Sequence, residues 1–133
     1  MKKLTLLAAT LMMGASTFAQ QALFGGGELK SPEVNADNTV TFRIQAPKAV
    51  KVQVSGDFLP ETLIDTPQGK WAVNIPADLK EGPDGVWEYT TAAPLEANYY
   101  TYNFIVDGKK ELDLMNVFVN RDVKTLTNYF IVT

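Results

Sequence analysis

Tyr99-Tyr100-Thr101-Tyr102-Asn103-Phe104-Ile105-Val106-Asp107-Gly108 is the stretch whose reading decides the fold of this chain. Tyr100, Tyr102, Phe104 and Val106 share one face, and Tyr99, Thr101, Asn103 and Ile105 share the other. A period of two in aromatic and β-branched residues is the pattern of a strand with one face in a core. Asp107-Gly108 is a tight-turn pair, so residues 109–113 are expected to return as the second arm of a hairpin.

The same period extends in both directions. Val40, Phe42, Ile44 and Ala46 alternate with polar residues until Pro47 ends the run, and Val50, Val52 and Val54 repeat the pattern up to Gly56. Residues 57–68, bracketed by Pro60 and Pro67, read as irregular. Trp71, Val73 and Ile75 alternate, and Pro76 stops them. Residues 77–81 allow one helical turn, too short to stand alone. Asp84-Gly85 is a hairpin turn into Val86-Trp87-Glu88-Tyr89-Thr90-Thr91, and short strands are expected at 117–119 and 128–133. About seven or eight short strands with frequent turns and no long amphipathic helix predict an all-β sandwich of immunoglobulin-like type.

The composition fits one soluble domain. The chain has 133 residues, 46% hydrophobic and 20% charged, with neither His nor Cys. Lacking both, it has no Ser-His-Asp or Cys-His pair, no imidazole or thiolate metal site and no disulfide. No cofactor is expected. A formal charge of −3 argues against nucleic acid as a partner. Lys2 and Lys3, an apolar run over residues 4–13, and Thr17-Phe18-Ala19 before Gln20 form an export signal with cleavage after Ala19. That run is shorter than the about 20 residues a membrane span needs, so no membrane partner is expected after cleavage. Residues 20–32, with Gly25-Gly26-Gly27, read as a flexible linker, and residues 33–133 as the folded module. The expected location is the periplasm or the exterior of a Gram-negative cell.

The ordered segments Ala49-Val50-Lys51-Val52, Val54-Ser55-Gly56-Asp57-Phe58, Asp84-Gly85-Val86-Trp87 and Tyr102-Asn103-Phe104-Ile105-Val106-Asp107-Gly108, then Asp113 with Asn116, carry a resemblance. The series resembles the early-set sandwich domains of carbohydrate-binding module family 48. These occur in branching and debranching enzymes and in the glycogen-binding domain of the AMP-activated kinase β subunit. With Asn116-Val117-Phe118-Val119-Asn120-Arg121-Asp122-Val123 the similarity is closest to the N-terminal module of secreted Bacteroidetes feruloyl and acetyl-xylan esterases. The resemblance spans about residues 31–132. It implies a non-catalytic module with a polysaccharide ligand and a carbohydrate esterase catalytic domain as partner. It also implies a linker and a hydrolase domain beyond Thr133; a short protein and a piece of an esterase precursor both fit.

The family's glycan-binding positions are altered. Where the relatives stack sugars on two tryptophans, this chain has Leu59 or Pro60, and Lys110. The lysine of the Tyr-Lys-Phe pattern is Asn103, and the asparagine near the last strand is replaced by Thr127, with Asn128 beside it. Leu114 and Met115 depart from the usual Asp-Pro turn. These changes argue against starch or glycogen as the ligand, and the resemblance to the esterase modules implies a xylan-type one instead.

The candidate contact residues are therefore Trp71, Tyr99, Thr101, Asn103, Lys110 and Thr127. Trp71 has two readings: a core residue aligned with Val73 and Ile75, or an exposed ring on which a sugar stacks. Thr101, Asn103 and Lys110 offer hydrogen bonds on one sheet face, and a solvated strand edge is the alternative. Asp57, Asp84 and Asp107 each adjoin a glycine in a turn, where the carboxylate holds local backbone. Glu61, Asp65 and Asp113 complete the acids considered, and no pairing of them suggests glycosidase chemistry. A scaffolding module without glycan affinity is the alternative to a binding module, and an uncovered apolar strip near the last strand would favour it. A periplasmic interaction protein unrelated to glycans is the third possibility.

Overall fold

The computed structural model describes residues 29–133, so the expected signal peptide and residues 20–28 of the expected linker lie outside the described part. Twelve strand segments follow: β1 Glu33–Val34, β2 Val40–Gln45, β3 Val52–Gly56, β4 Glu61–Thr66, β5 Gly69–Asn74, β6 Ala77–Asp78, β7 Lys80–Glu81, β8 Val86–Thr90, β9 Asn98–Val106, β10 Lys109–Glu111, β11 Val119–Arg121 and β12 Leu126–Val132. A short 3-10 turn at Pro83–Gly85 is the one helical element among the described residues.

The strands form two sheets and a separate hairpin. One sheet runs β1-β2-β8-β7; the other runs β11-β12-β9-β3-β6, with β10 also on β9. All pairings are antiparallel. The all-β sandwich expected from the alternation is the architecture observed. Its core takes Val40, Phe42 and Trp87 from the first sheet and Val52, Val54, Tyr102, Phe104, Phe130 and Val132 from the second. Phe42 joins the sheets, with its ring centroid 4.9 Å from Tyr102 and 5.6 Å from Phe130. The buried indole of Trp87 donates to Ala46 O at 2.9 Å, so its one polar group is satisfied.

At Tyr102, midway along β9, lies a buried polar knot. Tyr102 O–H donates to Asp113 Oδ2 at 2.8 Å, and Asn116 Nδ2 donates to Tyr102 Oη at 3.0 Å. Asn128 Oδ1 accepts from Asp113 N at 2.7 Å while its Nδ2 donates to Asp113 O and Asn116 O. Burial pushes both the Asp113 carboxyl and the Tyr102 phenol above their ordinary ranges. Asp113 and Asn116 are thus structural, and through Met115 N and Phe118 N they pin the loop between β10 and β11.

Several expected local features differ. Residues 57–68 hold strand β4, which its sequence hides because Leu63 and Ile64 are adjacent rather than alternating; pairing with β5 fixes it instead. Residues 77–81 do not turn helically. They step from the second sheet to the first, β6 pairing with β3 and β7 with β8, while Leu79 between them enters the core. The first strand is β1 at Glu33, and Ser31, expected in the linker, is already buried, its Oγ accepting from Arg43 N at 3.1 Å. The strand expected at 117–119 lies at Val119–Arg121. Gly85 and Gly108 have positive φ in their turns, whereas Gly56 is needed for space: a Cβ there would meet Phe58 Cε1 at 2.5 Å and Thr101 O at 2.8 Å.

Candidate functional site

β9 has an unusual second edge. On that edge β12 pairs with the Asn98 to Tyr102 end and β10 pairs with Phe104, Ile105 and Val106. Asn103 stands at the changeover, where no strand pairs with it on this side. Its Nδ2 donates to Leu126 O at 3.1 Å and so ties the start of β12 to β9. The two strands diverge here, and a cleft of about 450 Å³ opens between them.

The cleft is lined by Asn103, Lys110, Glu111, Lys124, Thr125 and Thr127, with Leu112 and Leu126 as its apolar members. Three of the six residues selected from sequence therefore meet in it: Asn103, Lys110 and Thr127. The Asp107-Gly108 turn delivers Lys110, which pairs opposite Ile105. The β11–β12 hairpin, closed by Asp122 N donating to Thr125 O at 2.9 Å, delivers Lys124 and Thr125.

The other three candidates lie elsewhere. Thr101 N and Oγ1 donate to Asp57 Oδ1 and Oδ2 at 2.9 and 3.2 Å, so its polar groups hold the turn after β3. Tyr99 is 44% exposed further along the same face, its ring 5.0 Å from that of Tyr129, which lies 5.4 Å from Phe118. Trp71 is 58% exposed on the β4–β5 hairpin, opposite Ile64. It is not a core residue, and it does not join the cleft.

Sequence reasoning missed Glu111, Lys124 and Thr125. Nothing in the local pattern marks the 122–125 loop, which reaches the cleft only because β11 folds back on β12 in register Arg121 to Leu126. It also missed a second, apolar cleft of about 760 Å³ where the two sheets part near β1. Met115, Val117, Phe118 and Ile131 line it together with Leu29 and Val34. Phe118 is 56% and Ile131 58% exposed. Asn116 Oδ1 accepts from Phe118 N at 2.9 Å and Phe118 O accepts from Tyr129 N at 3.2 Å, so this loop is held against β12.

Three of the acids hold local structure. Asp107 Oδ1 accepts from Val50 N and Lys51 N at 2.9 and 2.8 Å, and Asp57 and Asp113 are engaged as described. Among the described residues no group of three or more acids could hold a metal ion.

Comparison with known proteins gives structures but no sequence family: no family model and no curated protein matches the chain. The glycogen-degrading pneumococcal virulence factor SpuA matches over 80% of this chain and 12% of its own, at 20% identity and a TM-score of 0.51. The pullulanase of Paenibacillus barengoltzii matches over 77% of this chain and 14% of its own, at 26% identity and a TM-score of 0.46. That of Bacillus acidopullulyticus gives 77%, 12%, 19% and 0.48. The likeness to SpuA shows a shared fold. The chain spans only 12% to 14% of the length of these enzymes.

Proposed function

We propose that this chain is an exported, non-catalytic carbohydrate-binding module. In this reading it is the N-terminal accessory domain of a plant-polysaccharide esterase, with xylan-type glycan as its ligand, acting in the periplasm or outside the cell. The observation that carries the reading is the meeting of Asn103, Lys110 and Thr127 in one solvent-open cleft. Amide, ammonium and hydroxyl groups there suit sugar hydroxyls, which are recognised by convergent polar groups. The cleft has no aromatic member, and Lys110 occupies the place of a stacking tryptophan in the starch-binding relatives. The preference for xylan rests on the resemblance to the esterase N-terminal modules.

Isothermal titration with xylohexaose and maltohexaose tests the reading, with Lys110→Ala and Thr127→Ala in parallel. Saturable heat with xylohexaose, weakened in both variants, is expected. Binding of maltohexaose alone would overturn the xylan preference, and silence with both would overturn glycan binding at this cleft.

A second reading has its own support. The uncovered apolar cleft at Met115, Val117, Phe118 and Ile131 favours a scaffolding module that packs on an esterase domain. Under it, Phe118→Ser leaves the fold intact and weakens association with that domain in sedimentation.

A further inference from the structure

The polar cleft carries a charge that the protein as a whole does not. Lys110 and Lys124 both line it, and Glu111 is its one acid. Among the described residues the ion pairs are those of Arg43 with Glu33 and Glu88, so neither cleft lysine is within ion-pair distance of a carboxylate. A spot with one excess positive charge thus stands on a chain of formal charge −3. Asn103 is held in place by its bond to Leu126 O, and the Thr127 hydroxyl lies beside it in the same lining.

A neutral sugar bound chiefly by stacking needs an aromatic face, and this cleft offers none. Its chemistry is that of ammonium groups flanked by hydroxyl and amide. We propose that the cleft takes a glycan bearing a carboxylate, a uronic-acid-substituted polysaccharide. Lys110 and Lys124 meet the acid, and Asn103 and Thr127 meet neighbouring hydroxyls. Unpaired exposed lysines attract such a group at modest strength, about two- to fivefold in affinity for each. The attraction is screened as salt rises. This inference rests on the reading of the cleft as the glycan contact.

The test is titration of the full chain with a xylo-oligosaccharide carrying one glucuronic acid branch, the same backbone without it, and polyglutamate. Tighter binding of the acidic form by about fivefold or more at low salt is expected, with the gap closing in 300 mM salt. Lys110→Gln with Lys124→Gln should erase the gap. Glu111→Gln should widen it, a gain that a damaged fold does not produce. Equal binding of the acidic and neutral forms overturns the inference and leaves the cleft as a glycan site. Silence from both overturns the cleft reading and the inference with it. Polyglutamate binding as tightly as the branched sugar shows a charge effect without glycan recognition, and that too overturns it.

Discussion

In β9, Tyr102 and Phe104 alternate with Thr101 and Asn103 and end fully buried; in β5, Trp71 and Val73 alternate with Lys70 and Ala72 and stay exposed. The periodicity is the same. The difference lies in what stands opposite each strand. β9 has β3 and β12 beside it and the Phe42 face of the other sheet against it. β5 has β4 alone, paired over six residues, and a two-stranded ribbon has no second layer in which to bury a face. Alternation in sequence thus specifies a strand and its two faces, but burial depends on partners that the chain supplies from a distance.

The contrast is broken most severely at the core. Phe104→Ala should cost about 3–5 kcal/mol and shift the urea midpoint accordingly, or abolish folding. Gly85→Ala comes next. A Cβ there would meet Pro47 Cα at 2.5 Å, and φ is +71°, so a loss of about 2 kcal/mol is expected in the same measurement.

Asp113→Asn leaves Tyr102 and Met115 N competing for one carbonyl oxygen and should cost about 1–3 kcal/mol. Its pH dependence has a definite sign. The folded carboxyl titrates above its unfolded value, so between the two the folded state holds a proton that the unfolded state has released. Stability from this group falls as pH rises through that window. The asparagine variant lacks this loss, so its deficit against the parent should be largest below about pH 4 and shrink as pH rises. A deficit that grows with pH in paired denaturation curves would contradict the burial argument.

The hairpin should be the most tolerant region. Trp71→Ala is expected to change global stability by less than about 1 kcal/mol. Gly69→Ala strains a φ of +114° with open space around it. It should speed amide exchange in β4 and β5 without moving the global midpoint. A large midpoint shift from either would mean that the hairpin packs on the sandwich.

These two regions also mark what the sequence discloses. The period-two segments at 40–46, 50–55, 86–91 and 99–106 state their own faces, and their strands are found there, except that β3 starts at Val52 and leaves Val50 outside it and 86% exposed. β4 was hidden, because Leu63-Ile64 has no period and its partner defines it. The 77–81 segment was misread because its sheet-switching path is set by the edges of β3 and β8 and not by its own residues. Asn103, Lys110 and Thr127 were picked out by the resemblance in sequence, and the fold brings them to one cleft. Lys124 was not, because only the β11–β12 register brings it there. Thr101 lies on the outer face, yet Asp57 occupies both its amide and its hydroxyl.

The most direct test of the proposed glycan contact is an amide NMR titration of the chain with xylohexaose. The account predicts the largest shift changes at Asn103, Lys110 and Thr127, with the hairpin unmoved. Changes centred on Trp71 and Ile64, with the cleft silent, would contradict it.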